Sequence, residues 1–134
     1  MSNKIESEFV TYEQALALKE LEFDERCIGR YCIVTEWEEP TGEILLQFID
    51  CELSEKILVK APLKQQVFRW FREKYECYAN LSSWIHEEEL GIYHEFEIYK
   101  VKQYSHGSIR FKTYEEAENA CIDKLISICK QQDK

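Results

Sequence analysis

Hydrophobic residues recur at helical spacing in three stretches of the chain. After Thr11 the apolar positions are Ala15, Leu16, Leu18 and Leu21. After Pro62 they are Leu63, Val67, Trp70, Phe71 and Tyr75, and after Thr113 they are Ala117, Cys121, Leu125, Ile128 and Cys129. Spacings of three, four and seven residues are typical of amphipathic helices. We therefore predict a short first helix ending near Glu22, a central helix, and a last helix that reaches about Lys130.

The first and last of these helices begin with nearly the same pentapeptide, TYEQA at Thr11 and TYEEA at Thr113. A threonine at the N-cap accepts a hydrogen bond from the first turn, and a Gln or Glu three residues later can bond the N–H of the cap. Gln14 and Glu116 stand at that spacing. The pentapeptides therefore indicate two capping boxes rather than a repeat or a catalytic signature. Pro62 suits the first turn of the central helix, where its missing N–H costs no bond.

β-Branched and aromatic residues between the helices indicate strands. RYCIVTEWEEPTGEILLQFID contains Pro40 and Gly42, which favour a turn, so we predict a hairpin of residues 30–37 with 43–50 and a short strand at 56–60. CYANLSSWIH and IYHEFEIYKVK flank EEELG and predict a second hairpin. The order α-β-β-(β)-α-β-β-α predicts an α+β fold, with one antiparallel sheet of four to five strands and three helices.

The composition fits one domain. The 134 residues are 45% hydrophobic, which is enough to form a compact core, and no stretch resembles a linker. We expect a flexible N-terminus at residues 1–8 and a single domain at 9–134. No run approaches the roughly 20 apolar residues of a membrane span, and the N-terminus lacks the apolar core of a signal peptide. We therefore expect a cytoplasmic protein with scattered, reduced cysteines and no membrane partner.

The net charge of −9 is unevenly distributed. Residues 1–60 carry 14 acids against 6 bases, whereas residues 61–134 carry 12 against 11. Binding to nucleic acid requires a cationic surface, so we expect no direct binding of nucleic acid. The acidic half either keeps the domain soluble or binds a basic patch on another protein. The candidate acidic face for such a partner consists of Glu36, Glu38, Glu39 and Glu43.

No pattern in the chain carries a recognisable catalytic or metal site. His86, His94 and His106 lie in no catalytic signature, and the pair Cys27 and Cys32 has no second pair to complete a zinc site. A glycine-rich phosphate loop is also missing from the sequence. We therefore predict a non-enzymatic protein that has no metal and no cofactor.

The segment 100–112, KVKQYSHGSIRFK, has no acid in a chain that is rich in them. One interpretation is a site for a nucleotide or another anion, held by backbone N–H groups and by cations. The candidate residues of this site are Lys100, Lys102, His106, Arg110 and Lys112, with Arg69 and Arg72 as further cations. The alternative is a basic strand edge that discourages pairing between sheets. The segment can also meet the acidic half of a second copy, which leaves a homodimer open.

Three segments resemble parts of small uncharacterised proteins of tailed phages and prophages of Bacteroidetes gut bacteria. They are TYEQALALKELEFDE followed by Cys27, then KAPLKQQVFRWFREKY, then FKTYEEAENACIDKLI, in the same order. The two hairpin regions, 28–58 and 77–110, carry no sharp match. The resemblance implies a shared helical framework and a viral or mobile-element origin, and it assigns no catalytic residue.

Two function classes follow. The first is a phage-encoded protein that acts in the host cytoplasm and binds a host protein, such as a component of antiviral defence, through its acidic half or an exposed sheet face. The second is a protein or small enzyme that binds a nucleotide or another anion at 100–112. We prefer the first, because it requires no constellation that the sequence lacks.

Overall fold

The structure is a computed structural model, and it describes residues 5–36, 39–48, 56–86, 88, 91–100, 103–106 and 109–132. Within these residues, three α-helices follow a short 3₁₀ helix at Glu6–Glu8: α1 (Tyr12–Glu20), α2 (Lys64–Tyr75) and α3 (Tyr114–Gln132). The strands are β1 (Gly29–Glu36), β2 (Glu39–Phe48), β3 (Lys56–Ala61), β4 (Cys77–His86), β5 (Gly91–Lys100) and β6 (Gln103–His106). The chain divides into two compact units, Met1–Lys64 and Gln65–Lys134. The prediction of a single domain over 9–134 stays a prediction.

The first unit is built on an antiparallel sheet of order β2-β1-β3. Gly29 begins the central strand and pairs with both Phe48 and Ala61. A Cβ at this position would lie 2.7 Å from Cε1 of Phe9 and 2.9 Å from the carbonyl oxygen of Ala61. The buried Phe9 ring also packs on Phe48, with 5.4 Å between ring centres. The close approach of Phe9 to the strand therefore requires glycine at position 29.

Helix α1 begins and ends with local hydrogen bonds. Thr11 Oγ1 accepts the N–H of Gln14 at 3.1 Å, and Gln14 Oε1 accepts the N–H of Thr11 at 3.0 Å, which completes the predicted capping box. At the other end, Glu22 donates to Lys19 and Phe23 donates to Leu18, both at 3.0 Å, and Glu22 has a φ of 69°. This is a Schellman ending, and it stops the helix where the sequence predicts. The helix packs against β3.

The second unit contains an antiparallel sheet of order β4-β5-β6, with α3 packed across β5 and β4. Four of the five apolar positions listed for this helix are buried, namely Ala117, Cys121, Leu125 and Cys129. Thr113 Oγ1 accepts the N–H of Glu116 at 3.1 Å at the start of this helix. Cys51 lies outside the described residues, and the other cysteines are buried thiols that form no disulfide: Cys27, Cys32, Cys77, Cys121 and Cys129.

The α+β class and the three helices are confirmed, but the single sheet of four to five strands is not. Each predicted hairpin gains its third strand from the segment that follows it, because β3 returns to β1 and β6 returns to β5. The described strands therefore form two three-stranded sheets. Strand β6 lies within the basic segment 100–112, for which the sequence suggested an anion site or a basic strand edge.

Two local predictions are corrected. The turn predicted at residues 39–42 lies inside β2, where Glu36 pairs with Glu39 and a register shift falls between Ile33 and Thr35. Such a bulge accommodates the extra residues around Pro40 and Gly42 within a strand. Pro62 lies before α2 rather than in its first turn. Its carbonyl accepts the N–H of Val10 at 3.1 Å, which holds this segment extended up to Lys64.

Candidate functional site

The two faces of the second sheet differ in what covers them. Residues directly opposite each other on antiparallel strands share a face. Ala79 is opposite Ile98 and Leu81 is opposite Phe96. Ile98 and Phe96 are buried, and α3 packs across these strands, so this is the covered face.

The opposite face carries two aromatic pairs, and we call it the aromatic face. Its residues on the first strand are Tyr78, Asn80, Ser82 and Trp84, and their register partners are Tyr99, Glu97, Glu95 and Tyr93 in that order. Trp84 is 60% exposed, Tyr78 is 50% exposed and Tyr99 is 44% exposed. Exposed aromatic side chains gathered on one surface are a feature of binding sites, because their burial by a partner removes a large apolar area from water.

The segment after β6 returns to the sheet and brings Arg110 to this face. His94 and Phe111 exchange two backbone hydrogen bonds of 2.9 Å, which adds one more pairing along β5. The ring of Phe111 stacks on Phe96 of the covered face, with 6.2 Å between ring centres. Because neighbouring residues of an extended segment point to opposite faces, Arg110 lies on the aromatic face.

Arg110 makes two contacts there. Its Nε lies 3.3 Å from Oε1 of Glu95, and its guanidinium carbon lies 5.7 Å from the centre of the Tyr93 ring. Both residues belong to β5, so one carboxylate and one aromatic ring of the sheet hold the same cation. The arrangement combines an ion pair with a cation–π contact.

A pocket of about 300 Å³ lies at this end of the sheet. Its lining residues are Trp84, Ile85, Tyr93, Glu95 and Arg110. Aromatic walls beside a carboxylate suit a guanidinium or ammonium group, since the ring faces and the carboxylate both attract positive charge. Further along β5 on the same face, the hydroxyl of Tyr99 donates a hydrogen bond to Glu97. The aromatic face therefore combines aromatic rings with a carboxylate at two places.

A serine and a histidine meet on the covered face. Ser83 Oγ lies 2.7 Å from Nδ1 of His94, and the His94 ring meets the Tyr114 ring edge-on at 5.7 Å. Catalytic Ser-His pairs need an acceptor that orients the second ring nitrogen. Besides Ser83, the His94 ring contacts the ring of Tyr114, the first residue of α3. We therefore interpret the pair as a link between the sheet and the start of α3; the sequence alone did not indicate it because it depends on strand register.

Burial suppresses the reactivity of two cysteines. It raises the pKa of Cys27 to about 11 and, together with nearby Glu118, the pKa of Cys121 to about 12. A thiol must lose its proton to act as a nucleophile, so both side chains stay inert at neutral pH. Within the described part of the chain, no group of three potential metal ligands is present. None of the helices in that part is both long and apolar enough to cross a membrane.

The structure does not gather the cations that the sequence suggested for an anion site. Arg110 is paired with Glu95 on the aromatic face, whereas Lys100 is opposite the buried Cys77 and so belongs to the covered face. His106 is the register partner of Glu97, and Lys102 lies outside the described residues. The remaining candidates, Arg69, Arg72 and Lys112, have exposed side chains. Anion binding at 100–112 stays a prediction.

The candidate acidic face of the first unit is described in part. Glu36 and Glu39 pair at the end of the first hairpin, and Glu43 is exposed further along β2. Glu38 lies outside the described residues. Ile44 and Leu45, next to Glu43, are also exposed, so this strand presents apolar as well as acidic groups.

The site is therefore defined by its geometry: two aromatic register pairs with three exposed rings, two carboxylates, and an arginine held by a ring and a carboxylate. No protein-family model, curated protein or solved structure matches this chain.

Proposed function

We propose that this chain is a non-enzymatic binding protein that attaches to another protein through the aromatic face. The observation that carries the proposal is the two aromatic register pairs, Tyr78 with Tyr99 and Trp84 with Tyr93. Three of these side chains are exposed, those of Tyr78, Trp84 and Tyr99. Tyrosine and tryptophan are enriched among the residues that dominate protein–protein binding energy. Backbone pairing in the sheet fixes the spacing of these residues, so little backbone order has to be gained on binding.

The chemistry of the described residues supports binding rather than catalysis. The Ser83–His94 pair faces an aromatic ring instead of an orienting carboxylate, and the pKa of Cys121 is raised to about 12. Docking through an aromatic sheet face requires no nucleophile, metal or cofactor. The net charge of −9 also favours a partner with a basic surface, because opposite charges accelerate encounter.

The partner in this proposal is a host protein, and the chain is encoded by a phage or prophage. The support is the resemblance of the three helical segments to small phage proteins, together with the acidic composition. A component of antiviral defence is the kind of host protein that such a phage product would inhibit. The host cytoplasm is then the compartment in which the two proteins meet.

Capture from a lysate of a Bacteroidetes gut bacterium tests the proposal. Immobilised wild-type chain should retain a host protein at low salt, and Trp84→Ala and Tyr99→Ala should each weaken retention by about tenfold or more, as expected for central aromatic anchors. Ile28→Ala removes an exposed apolar side chain from the first unit and serves as the matched control. Equal retention by all four proteins, or no retention even at low salt, would contradict the proposal.

A further inference from the structure

We infer that the pocket of the aromatic face recognises arginine side chains in an extended basic segment of the protein partner. The inference rests on the proposed function, because it specifies the chemistry of that partner. The pocket is lined by Trp84, Ile85, Tyr93, Glu95 and Arg110. The last of these residues shows how the others bind a guanidinium group.

Arg110 lines the pocket and makes the contacts that a foreign arginine would make. Its guanidinium carbon lies 5.7 Å from the centre of the Tyr93 ring, and its Nε lies 3.3 Å from Glu95. The Arg110 side chain is 59% exposed, whereas that of Glu95 is 23% exposed. The carboxylate is thus protected within the sheet, and the arginine that covers it lies toward solvent. A second arginine can therefore replace Arg110 without rearranging the sheet.

The other pocket residues supply contacts that suit the length of an arginine side chain. Trp84 is directly opposite Tyr93, and tryptophan is the aromatic residue that binds cations best. Ile85, the next residue of β4, also lines the pocket. The planar guanidinium can then stack on a ring while it pairs with the carboxylate, which an ammonium group does less well.

The spacing of the carboxylates indicates an extended ligand. Glu95 and Glu97 lie on the same face of β5, about 7 Å apart along the strand. Tyr93 accompanies the first, and Tyr99 donates a hydrogen bond to the second. Side chains of an extended peptide repeat at the same interval on one side. A segment with arginine at alternate positions therefore places one guanidinium at Glu95 and the next at Glu97.

Binding of a labelled peptide to the purified full-length chain tests the inference. The probe is fluorescein-labelled Gly-Arg-Ser-Arg-Ser-Arg-Gly, followed by fluorescence anisotropy at low ionic strength, with a peptide that carries glutamate in place of arginine as the negative control. The arginine peptide should bind and the glutamate peptide should not. High salt should weaken binding, because part of the attraction is between charges at the surface.

Two pairs of variants test whether the peptide binds in the pocket or is attracted only by the net charge of the protein. Glu95→Gln should weaken peptide binding by about fivefold or more, whereas Glu73→Gln, the same charge change on an exposed position of α2, should change it by less than about twofold. Arg110→Ala should strengthen binding by about fivefold, because the peptide no longer displaces a resident arginine. Lys124→Ala, the same charge change on an exposed position of α3, should again change it by less than about twofold.

Several results would overturn the inference. They are no binding of the arginine peptide, equal effects of the two glutamate variants, and weaker binding of the arginine peptide after Arg110→Ala. Sedimentation that shows a dimer dependent on Trp84, which the peptide does not dissociate, would assign the face to a second copy instead.

Should lysate capture depend on Trp84 while the peptide fails to bind, the proposed function stands and this inference falls. Should the peptide bind while no host protein is captured, the arginine site stands and the proposed function falls.

Discussion

The guanidinium carbon of Arg110 lies 5.7 Å from the centre of the Tyr93 ring, on the sheet face that α3 leaves exposed. The next residue, Phe111, points to the other face and stacks on Phe96. One segment therefore contributes a cation to the candidate site and an aromatic ring to the core side of the sheet. These two neighbours should differ in what they contribute to stability.

Alanine substitution of Arg110 and of Phe111 compares a residue of the candidate site with a residue that packs on the covered face of the sheet. Arg110→Ala should lower the free energy of unfolding by less than about 1 kcal/mol, because its ion pair and ring contact are exposed to solvent. Phe111→Ala should lower it by about 2 kcal/mol, because the ring loses its packing on Phe96. Urea denaturation of the two variants and the wild type measures both values. An equal decrease in the free energy of unfolding for both variants would contradict the assignment of Arg110 to the exposed face and Phe111 to the covered face.

Nucleotides should leave the melting temperature unchanged. Glu95 already neutralises Arg110, and Lys100 lies on the covered face, so these two cations of the segment do not converge on one anion. A thermal-shift panel of nucleotides and cyclic nucleotides at saturating concentration checks this expectation. A rise of several degrees that disappears with Arg110→Ala would favour the alternative function, binding of a nucleotide or another anion.

Alanine at position 29 should destabilise the first unit. The new Cβ would lie 2.7 Å from Phe9 Cε1 and 2.9 Å from the backbone oxygen of Ala61, which cannot move without disturbing the pairing of β1 with β3. We expect a loss of about 1–3 kcal/mol in the free energy of unfolding, the usual range for overpacking. Ile28→Ala, at the exposed neighbouring position, should change it by less than about 0.5 kcal/mol. Urea denaturation compares them, and a similar effect of both variants would contradict the steric explanation.

The stability of the chain should fall at alkaline pH, in part through Cys121. Burial raises the pKa of this thiol from 9.0 to about 12, so the unfolded chain loses the proton first as the pH rises. The stabilisation is complete below pH 9.0 and is lost progressively as the pH rises toward 12. Within that window each such thiol lowers the free energy of unfolding by about 1.4 kcal/mol per pH unit.

Comparison with Cys121→Ala isolates this contribution. The variant is less stable near neutral pH because it leaves a cavity, but its free energy of unfolding should decrease less steeply above pH 9.0. Urea denaturation at several pH values measures both slopes, and the other titrating groups cancel in the difference. Parallel curves for the two proteins would show that burial does not perturb this thiol.

Features that depend on near neighbours in the chain could be predicted from the sequence. The bonds between Thr11 and Gln14 span three residues, so the residue types alone indicate where α1 begins. The alternation and the turn residues of the second hairpin likewise predict two strands that the structure places at Cys77–His86 and Gly91–Lys100. Local hydrogen bonding and the periodicity of apolar residues are sufficient for such features.

Features that depend on distant residues could not be predicted in this way. The segment around Pro62 stays extended because its carbonyl binds Val10, more than fifty residues earlier in the chain. The sequence also assigned β3 and the second hairpin to one sheet, because strand propensity does not specify which strands pair.

The candidate site belongs to this second kind. Its chemistry depends on which face of the sheet α3 covers, on the register that sets Trp84 opposite Tyr93, and on the bridge from Phe111 to His94 that brings Arg110 to Glu95. In the sequence, Arg110 belonged to a basic segment that suggested an anion site, and Glu95 stood in a strand of the predicted second hairpin. Long-range strand pairing places the two charges 3.3 Å apart, which makes the same segment part of a site for cations.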